Sequence, residues 1–353
     1  MSKAKYVGLD VHKATIVIVV LNAVGQVVMQ TIIATETQVI REFFQGLSGT
    51  VSVALEEGTQ SAWLDALLRP LVTEVVVCNP RYNKLIETGN KGDLIDAEKL
   101  AHLLRLGGLK AVYKGHPEQR QLKDLARAYQ NLVSDATRVM NRIKAIYRGR
   151  GINCDGHHIY KPEQRQAWLE KLTEAGARFR AGLLFEQLEQ LQALRRAAKQ
   201  ELLTQGKREP EYRLLCGLPG IGPLRAAVLL AFVGTPHRFR TKRQFWPYCG
   251  LAVITRSSAD HEFINGTLSQ RRRRVATRGL NPMHVPELKQ VFKDAALTAA
   301  RREPCQSWYQ ARIEKGMRPE MARLSLARRL AAVTLTLWQR QEPFDADKFS
   351  TLI

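Results

Sequence analysis

Residues 5–34 read KYVGLDVHKATIVIVVLNAVGQVVMQTIIA, and this stretch decides the fold. It holds three apolar, β-branched runs, Lys5–Leu9, Ala14–Leu21 and Gln26–Ala34. A polar break, Asp10–Lys13, separates the first two, and Gly25 marks the next turn. Three such runs joined by tight turns predict an antiparallel meander. Working outward, Thr35–Leu47 reads as a helix with Thr35 or Thr37 as its N-cap. Val51–Leu55 reads as a fourth strand, Ser61–Leu71 as a helix, Glu74–Cys78 as a fifth strand and Asp93–Leu106 as a helix.

Three strands, helix, strand, helix, strand, helix is the order of the RNase H-like fold. Its acidic residues fall at the element ends. Asp10 ends the first strand, Glu56 and Glu57 end the fourth, and Asp93 and Asp96 open a helix. A spacing of three puts the last two on one helix face. Each has an ordinary role available, a turn for Asp10 and a helix start for Asp93 and Asp96. Together, in this order and on these elements, they point to one small acidic volume. Converging carboxylates repel unless a cation holds them. Mg²⁺ suits oxygen ligands and phosphate substrates, and a pair of ions can stabilise both oxygens of a phosphoryl displacement.

The charge supports a polyanionic partner. The chain has 353 residues, with 54 Lys and Arg against 33 Asp and Glu, a net charge of +21. It is 45% hydrophobic, enough for a sizeable core, which excludes a disordered chain or a small disulfide scaffold. Residues 1–105 carry a net charge of −1, so the rest carries +22. That split suggests one module for chemistry and others that grip a nucleic-acid backbone. A membrane surface is the runner-up partner, but the longest apolar runs, Ile16–Leu21 and Ala226–Val233, are far too short to span a bilayer, so no membrane is expected. The opening MSKAKYVGLDVHK has no secretory pattern. Five cysteines without CxxC spacing read as reduced thiols, so the expected location is the cytoplasm.

The middle of the chain reads as helical. Leu122, Leu125, Tyr129, Leu132, Ala136, Val139, Ile143 and Ile146 alternate spacings of three and four, a coiled-coil-like stripe. Gly149 and Gly151 end it, and Arg165–Gln205 predicts a second long helix. Such helices pair within a chain or between subunits. His157 and His158 read as a loop pair between them. Next, LCGLPGIGPLRAAVLLAFVG (215–234) has the pattern of a helix-hairpin-helix. Gly220 and Gly222 would let the backbone approach a phosphate at the next helix start, without reading bases. Residues 236–280 hold ten Lys and Arg against Asp260 and Glu262. Arg243, Arg256, Arg271, Arg272, Arg273 and Arg274 are the expected nucleic-acid contacts. The interleaved Phe239, Phe245, Trp246 and Tyr248 read as core. Residues 281–353 read as helical, with Leu324–Gln339 apolar-striped.

YVGLDVHK (6–13), ALEEGTQSAWL (54–64) and KGDLIDAEKLA (91–101) resemble the RuvC-like DEDD half of the transposases of insertion sequences 110 and 1111. The resemblance implies that Asp10, Glu56, Asp93 and Asp96 are the acidic, metal-holding tetrad, with Glu57 as rival to Glu56. RFRTKRQFWPYCGLAVITRSSADHEFINGTLS (238–269) is similar to the C-terminal half of the same family, at Gly250-Leu251, Ser258-Ala259 and Gly266 to Ser269. That likeness implies a nucleophilic serine, Ser258, with Ser257 as rival. Two departures stand out: Ser-Ala where the family shows Ser-Gly, and RRRRVATRGLNP (271–282) where it shows Lys-Arg-Gly-Asn.

The resemblance further implies a Mg²⁺-dependent DNA recombinase with a serine-linked DNA intermediate. Its partners would be element-end and target DNA, an element-encoded structured RNA, and further copies of itself in a dimer or tetramer. Its setting would be the nucleoid of a bacterium or archaeon. Two other readings are a junction-resolving Mg²⁺ endonuclease using the tetrad alone and a non-catalytic nucleic-acid-binding protein. The intact tetrad argues against the second, and the downstream half against the first. The expected architecture is α/β plus all-α: a RuvC-like domain (1–112), a helical coiled-coil linker (113–207), and a mostly helical C-terminal domain (208–353).

Overall fold

A computed structural model describes residues 4–79, 92–113, 115, 117–256, 261–264, 267–270 and 277–349. Residues 5–34 form the expected meander: β1 (Lys5–Val11), β2 (Thr15–Asn22) and β3 (Val27–Ala34). Then come α1 (Thr37–Gln45), β4 (Val51–Glu56), α2 (Ser61–Leu68), β5 (Glu74–Cys78) and α3 (Asp93–Arg105). The sheet order is β3-β2-β1-β4-β5. The β1–β2 and β2–β3 pairs are antiparallel, and β1–β4 and β4–β5 are parallel. This mixed five-stranded sheet fits the RNase H-like expectation.

The central strands are buried on both faces, which is why Ile16–Leu21 is an unbroken apolar run rather than an alternating one. One face carries Val7, Leu9, Ile16, Ile18, Val53 and Leu55 against Ile40 and Phe44 of α1 and Leu64 and Leu68 of α2. The other carries Val17, Val19 and Leu21 against Ala97 and Ala101 of α3, and Ala54 and Cys78 against Leu100 and Leu104. One local expectation is corrected. Neither Thr35 nor Thr37 caps α1: Glu36 holds that position without a side-chain bond. The Thr35 hydroxyl instead donates to the His12 carbonyl at 3.1 Å.

The chain divides into two units, Met1–Lys114 and Gly115–Ile353. The second begins with α4 (Pro117–Arg148), which packs on α6 (Ala175–Gly206). Ala136, Val139, Ile143 and Ile146 meet Ala177, Ala181, Phe185 and Leu188. Over this part the heptad stripe finds its cover within the chain, while Leu122 and Ala126 join the C-terminal core. The second long helix is not continuous. A short α5 (Arg165–Glu170) precedes it, and the chain breaks before Ala175. At the break Leu172 is fully buried, and its carbonyl accepts two hydrogen bonds from the Arg178 guanidinium, at 3.1 and 2.8 Å. Burying that side chain and satisfying its carbonyl outweighs continuing the helix.

The C-terminal core is built from α7 (Tyr212–Cys216), α8 (Pro223–Val233), α9 (Lys242–Tyr248), α10 (Pro286–Ala299), α11 (Cys305–Glu314) and α12 (Pro319–Arg340). Every residue of α8 from Ala226 to Val233 is buried, as its all-round apolarity requires. Helices alone do not account for this region. β6 (Val253–Arg256) pairs antiparallel with β9 (Thr277–Leu280), and β7 (His261–Ile264) with β8 (Thr267–Gln270). Four-residue runs are too short to show a period, so the ribbons escape sequence reading. All five cysteines are free thiols. Among the described residues, no helix is long and apolar enough to cross a membrane.

Candidate active site

Strand pleating selects the carboxylates. Gly8 and Asp10 lie two apart on β1 and share the face on which α3 packs. The β1–β4 register pairs Gly8 with Ala54 and Leu9 with Leu55. Ala54 belongs to the α3-side core, so alternation puts Glu56 on that face too, beside Asp10. Glu57 lies beyond the strand and is exposed, and its N–H donates to the Cys78 carbonyl at 2.8 Å.

Helix α3 brings the other two acids. Gly92 is its N-cap, so Asp93 and Asp96 occupy the first turn, where the helix dipole favours negative charge. The helix lies unusually close to β1. A Cβ on Gly8 would sit 1.9 Å from the Ala97 carbonyl oxygen and 2.7 Å from the Ala101 nitrogen. Only glycine permits this approach.

His12 joins the site. Its Nε2 is 3.3 Å from Asp10 Oδ2 and 3.2 Å from Asp93 Oδ2. A ligand atom from each of Asp10, His12 and Asp93 fits within 4.8 Å of the others. Burial raises the Asp10 carboxyl above its ordinary range; His12 opposes this, while Asp93 and Asp96 reinforce it. Asp96 Oδ1 is buried and accepts no hydrogen bond; Lys99 Nζ stands 3.8 Å away. An acidic volume with like-charge repulsion and an unsatisfied buried oxygen fits a divalent cation held by oxygen ligands. Sequence reading placed His12 only in a turn. Its spacing of two from a strand-borne Asp10 was the signal that could have found it.

In the second unit Gly220 has φ of 71°, and its Cβ would meet the Ala295 carbonyl oxygen at 2.3 Å. Its lack of a side chain serves the packing of this turn on α10. Gly222 is the N-cap of α8, and a Cβ there would meet nothing within 4 Å. Arg225 donates to the Gly220 carbonyl at 2.7 Å and holds the turn. Phe239 and Phe245 are buried; Phe245 meets Phe292 edge-on at 5.9 Å. Trp246 donates its indole N–H to the Arg328 carbonyl at 2.9 Å, and Tyr248 its hydroxyl to the Phe232 carbonyl at 2.8 Å. These aromatics therefore serve the core. Arg243 is exposed on α9, and Arg256 ends β6. Gly250 has φ of 66° and lies against the His284 ring, which a Cβ would approach to 2.4 Å. Ser257, Ser258 and Arg271, Arg272, Arg273 and Arg274 lie outside the described residues.

Residues 7–149 match the DEDD transposase family model of IS110, described as Transposase. Residues 212–310 match the model described as Transposase IS116/IS110/IS902 family. The transposase for insertion sequence element IS1111A of Coxiella burnetii is 25% identical over 271 residues, covering 75% of this chain and 71% of that protein. A family 20 transposase of Pseudomonas aeruginosa is 24% identical over 242 residues, 66% of this chain and 69% of its own. A Sinorhizobium fredii protein whose name also reads transposase, y4pF/y4sB, is 23% identical over 346 residues, 96% of this chain and 85% of its own. One matched model covers the region that carries the acidic site and the other the basic module, and this chain belongs to the transposase family of insertion sequences 110 and 1111.

Proposed function

We propose that the chain is a Mg²⁺-dependent DNA recombinase that joins strands through a serine-linked intermediate. The observation that carries the reading is the acidic face shared by Asp10, Glu56, Asp93 and Asp96 beneath one close helix contact. These four carboxylates would hold Mg²⁺. Bound there, it would stabilise the attacking and leaving oxygens of a phosphodiester. The Ser258 hydroxyl attacks the phosphorus and loses its proton. The displaced deoxyribose oxygen leaves as a hydroxyl, and the phosphate stays on Ser258 Oγ. A hydroxyl of a second strand then attacks the same phosphorus and regenerates the serine. The phosphodiester energy is conserved, so no nucleotide is consumed.

The division of labour follows the charge. Residues 1–112 are assigned the carboxylate chemistry, 113–207 a helical linker that supports self-association, and 208–353 the DNA grip and the serine. The α7–turn–α8 segment would act as a helix-hairpin-helix, with the open N-cap at Gly222 facing phosphate. Gly220 would shape that turn. Arg243, Arg256, Arg271, Arg272, Arg273 and Arg274 would contact backbone phosphates. The family resemblance implies an element-encoded structured RNA as a second partner, and the excess of +22 over residues 106–353 is compatible with binding it. The protein would work at the cytoplasmic nucleoid as a dimer or tetramer, with Ser258 reaching the carboxylates within a chain or between copies.

A covalent-trapping assay tests this. The protein is incubated with Mg²⁺, element-end DNA and RNA transcribed from the element's flank, then resolved on a denaturing gel. A protein–DNA adduct absent from both Ser258→Ala and Asp10→Ala supports the mechanism. Nicking that gives no adduct and survives Ser258→Ala overturns the serine step in favour of a tetrad nuclease. DNA binding without any reaction, in every variant and with every flanking RNA, favours a non-catalytic role.

A further inference from the structure

We infer that His12 Nε2 is a direct ligand of the divalent cation held by Asp10 and Asp93, which makes this a mixed nitrogen–oxygen centre. The inference rests on the carboxylate reading above and adds a ligand to it.

Spacing is the first argument. A six-coordinate ion with bonds of about 2.1 Å keeps adjacent ligand atoms about 3 Å apart and opposite ones about 4 Å apart. His12 Nε2 stands 3.3 Å from Asp10 Oδ2 and 3.2 Å from Asp93 Oδ2, and all three groups fit within 4.8 Å. One nitrogen thus reaches carboxylates on two different elements. A histidine that only neutralised its neighbour on β1 would have no need to meet α3.

Delivery is the second argument. The His12 N–H donates to the Thr15 carbonyl at 2.9 Å, and its own carbonyl accepts from Thr35 Oγ1 at 3.1 Å. Gln60 donates to the next carbonyl, that of Lys13, at 3.4 Å. The turn carrying the ring is therefore held by the start of β2, the end of β3 and the approach to α2. Access is the third argument. The His12 side chain is 45% exposed, which leaves one side of the centre open to water and to phosphate oxygens.

The chemical consequence is selectivity. An imidazole ligand favours first-row transition ions over Mg²⁺, relative to an all-oxygen set. Mn²⁺ alone is thus a suitable probe. Pulsed electron paramagnetic resonance on the full-length, Mn²⁺-loaded protein should show coupling to a directly bound ¹⁴N. His12→Ala should abolish that coupling and weaken Mn²⁺ binding by about tenfold while changing Mg²⁺ affinity much less, so that Mg²⁺ displaces Mn²⁺ more readily. His12→Asn should behave alike and retain the polar turn. His157→Ala and His158→Ala should keep the signal.

Mn²⁺ bound by wild type without nitrogen coupling, and displaced by Asp10→Asn, would overturn the histidine ligand alone. That result would make His12 a bridge that leaves when the cation arrives. Failure of wild type to bind Mn²⁺ or Mg²⁺ would overturn both this inference and the carboxylate reading beneath it.

Discussion

Replacing Gly8 by alanine should pull the acidic cluster apart without changing any of its side chains. The new Cβ would lie 1.9 Å from the Ala97 carbonyl oxygen, whereas real Cβ contacts essentially never fall below 3.0 Å. Both clashing atoms are backbone, so no side chain can rotate away, and α3 must retreat by about 1.1 Å. Overpacking of this kind costs about 1–3 kcal/mol. For a unit of this size each kcal/mol lowers Tm by roughly 4–8 °C. The same retreat moves Asp93 and Asp96 away from Asp10. A misplacement of about 1 Å at reacting groups costs on the order of 100-fold in rate. The assay is a thermal melt, an Mn²⁺ titration and strand cleavage of element-end DNA on one preparation. Gly182→Ala on α6 is the control. Its Cβ would meet nothing within 4 Å, and removing a helical glycine should stabilise by about 1 kcal/mol. If Gly8→Ala melted within about 1 °C of wild type and bound Mn²⁺ equally well, the idea that close packing at Gly8 sets the site would be wrong.

Three further outcomes are expected. Burial, with Glu211 and Glu118 nearby, raises the Glu209 carboxyl above its ordinary value, so the fold favours its protonated form. That contribution is present below the ordinary carboxylate range and is lost as pH rises through the raised value. Glu209→Gln should therefore melt above wild type at pH 7, with the gap closing below about pH 4. Phe245→Ala should destabilise the second unit by about 3–5 kcal/mol in urea unfolding, since the ring is fully buried. A base-stacking role would instead cost affinity for single-stranded DNA at constant stability. Changing Arg271, Arg272, Arg273 and Arg274 to Gln should flatten the salt dependence of duplex binding, by a slope of about 0.9 for each phosphate no longer neutralised. Relative affinity among duplex sequences should stay level, as measured by competition.

Much of the first unit was legible because its signals are local. β-branched runs and turn residues marked five strands, and helix starts marked where Asp93 and Asp96 would lie. The heptad stripe of α4 was equally visible, because it reports which side of one helix is apolar. It could not report what covers that side: here Phe185 and Leu188 of the same chain take part of it. The break at Leu172 was missed for a related reason. Arg165–Gln205 is rich in helix-forming residues, and its glycines, Gly176 and Gly182, lie inside α6; the interruption falls instead where Leu172 enters the hairpin core, with Arg178 holding its carbonyl.

The sequence by itself determined the order of elements, the division into a near-neutral first part and a strongly basic remainder, and a short set of candidate acids. These follow from residue type and spacing along the chain. The tertiary structure decided which residues share a face and how close they come. It set Glu56 rather than Glu57 on the side of Asp10, through the β1–β4 register. It brought Asp93 to His12, and His12 to Asp10, through one glycine that admits a helix backbone from far along the chain. Periodicity describes one element at a time. Distances between elements depend on the volumes packed between them, and at Gly8 that volume is a single missing methyl group.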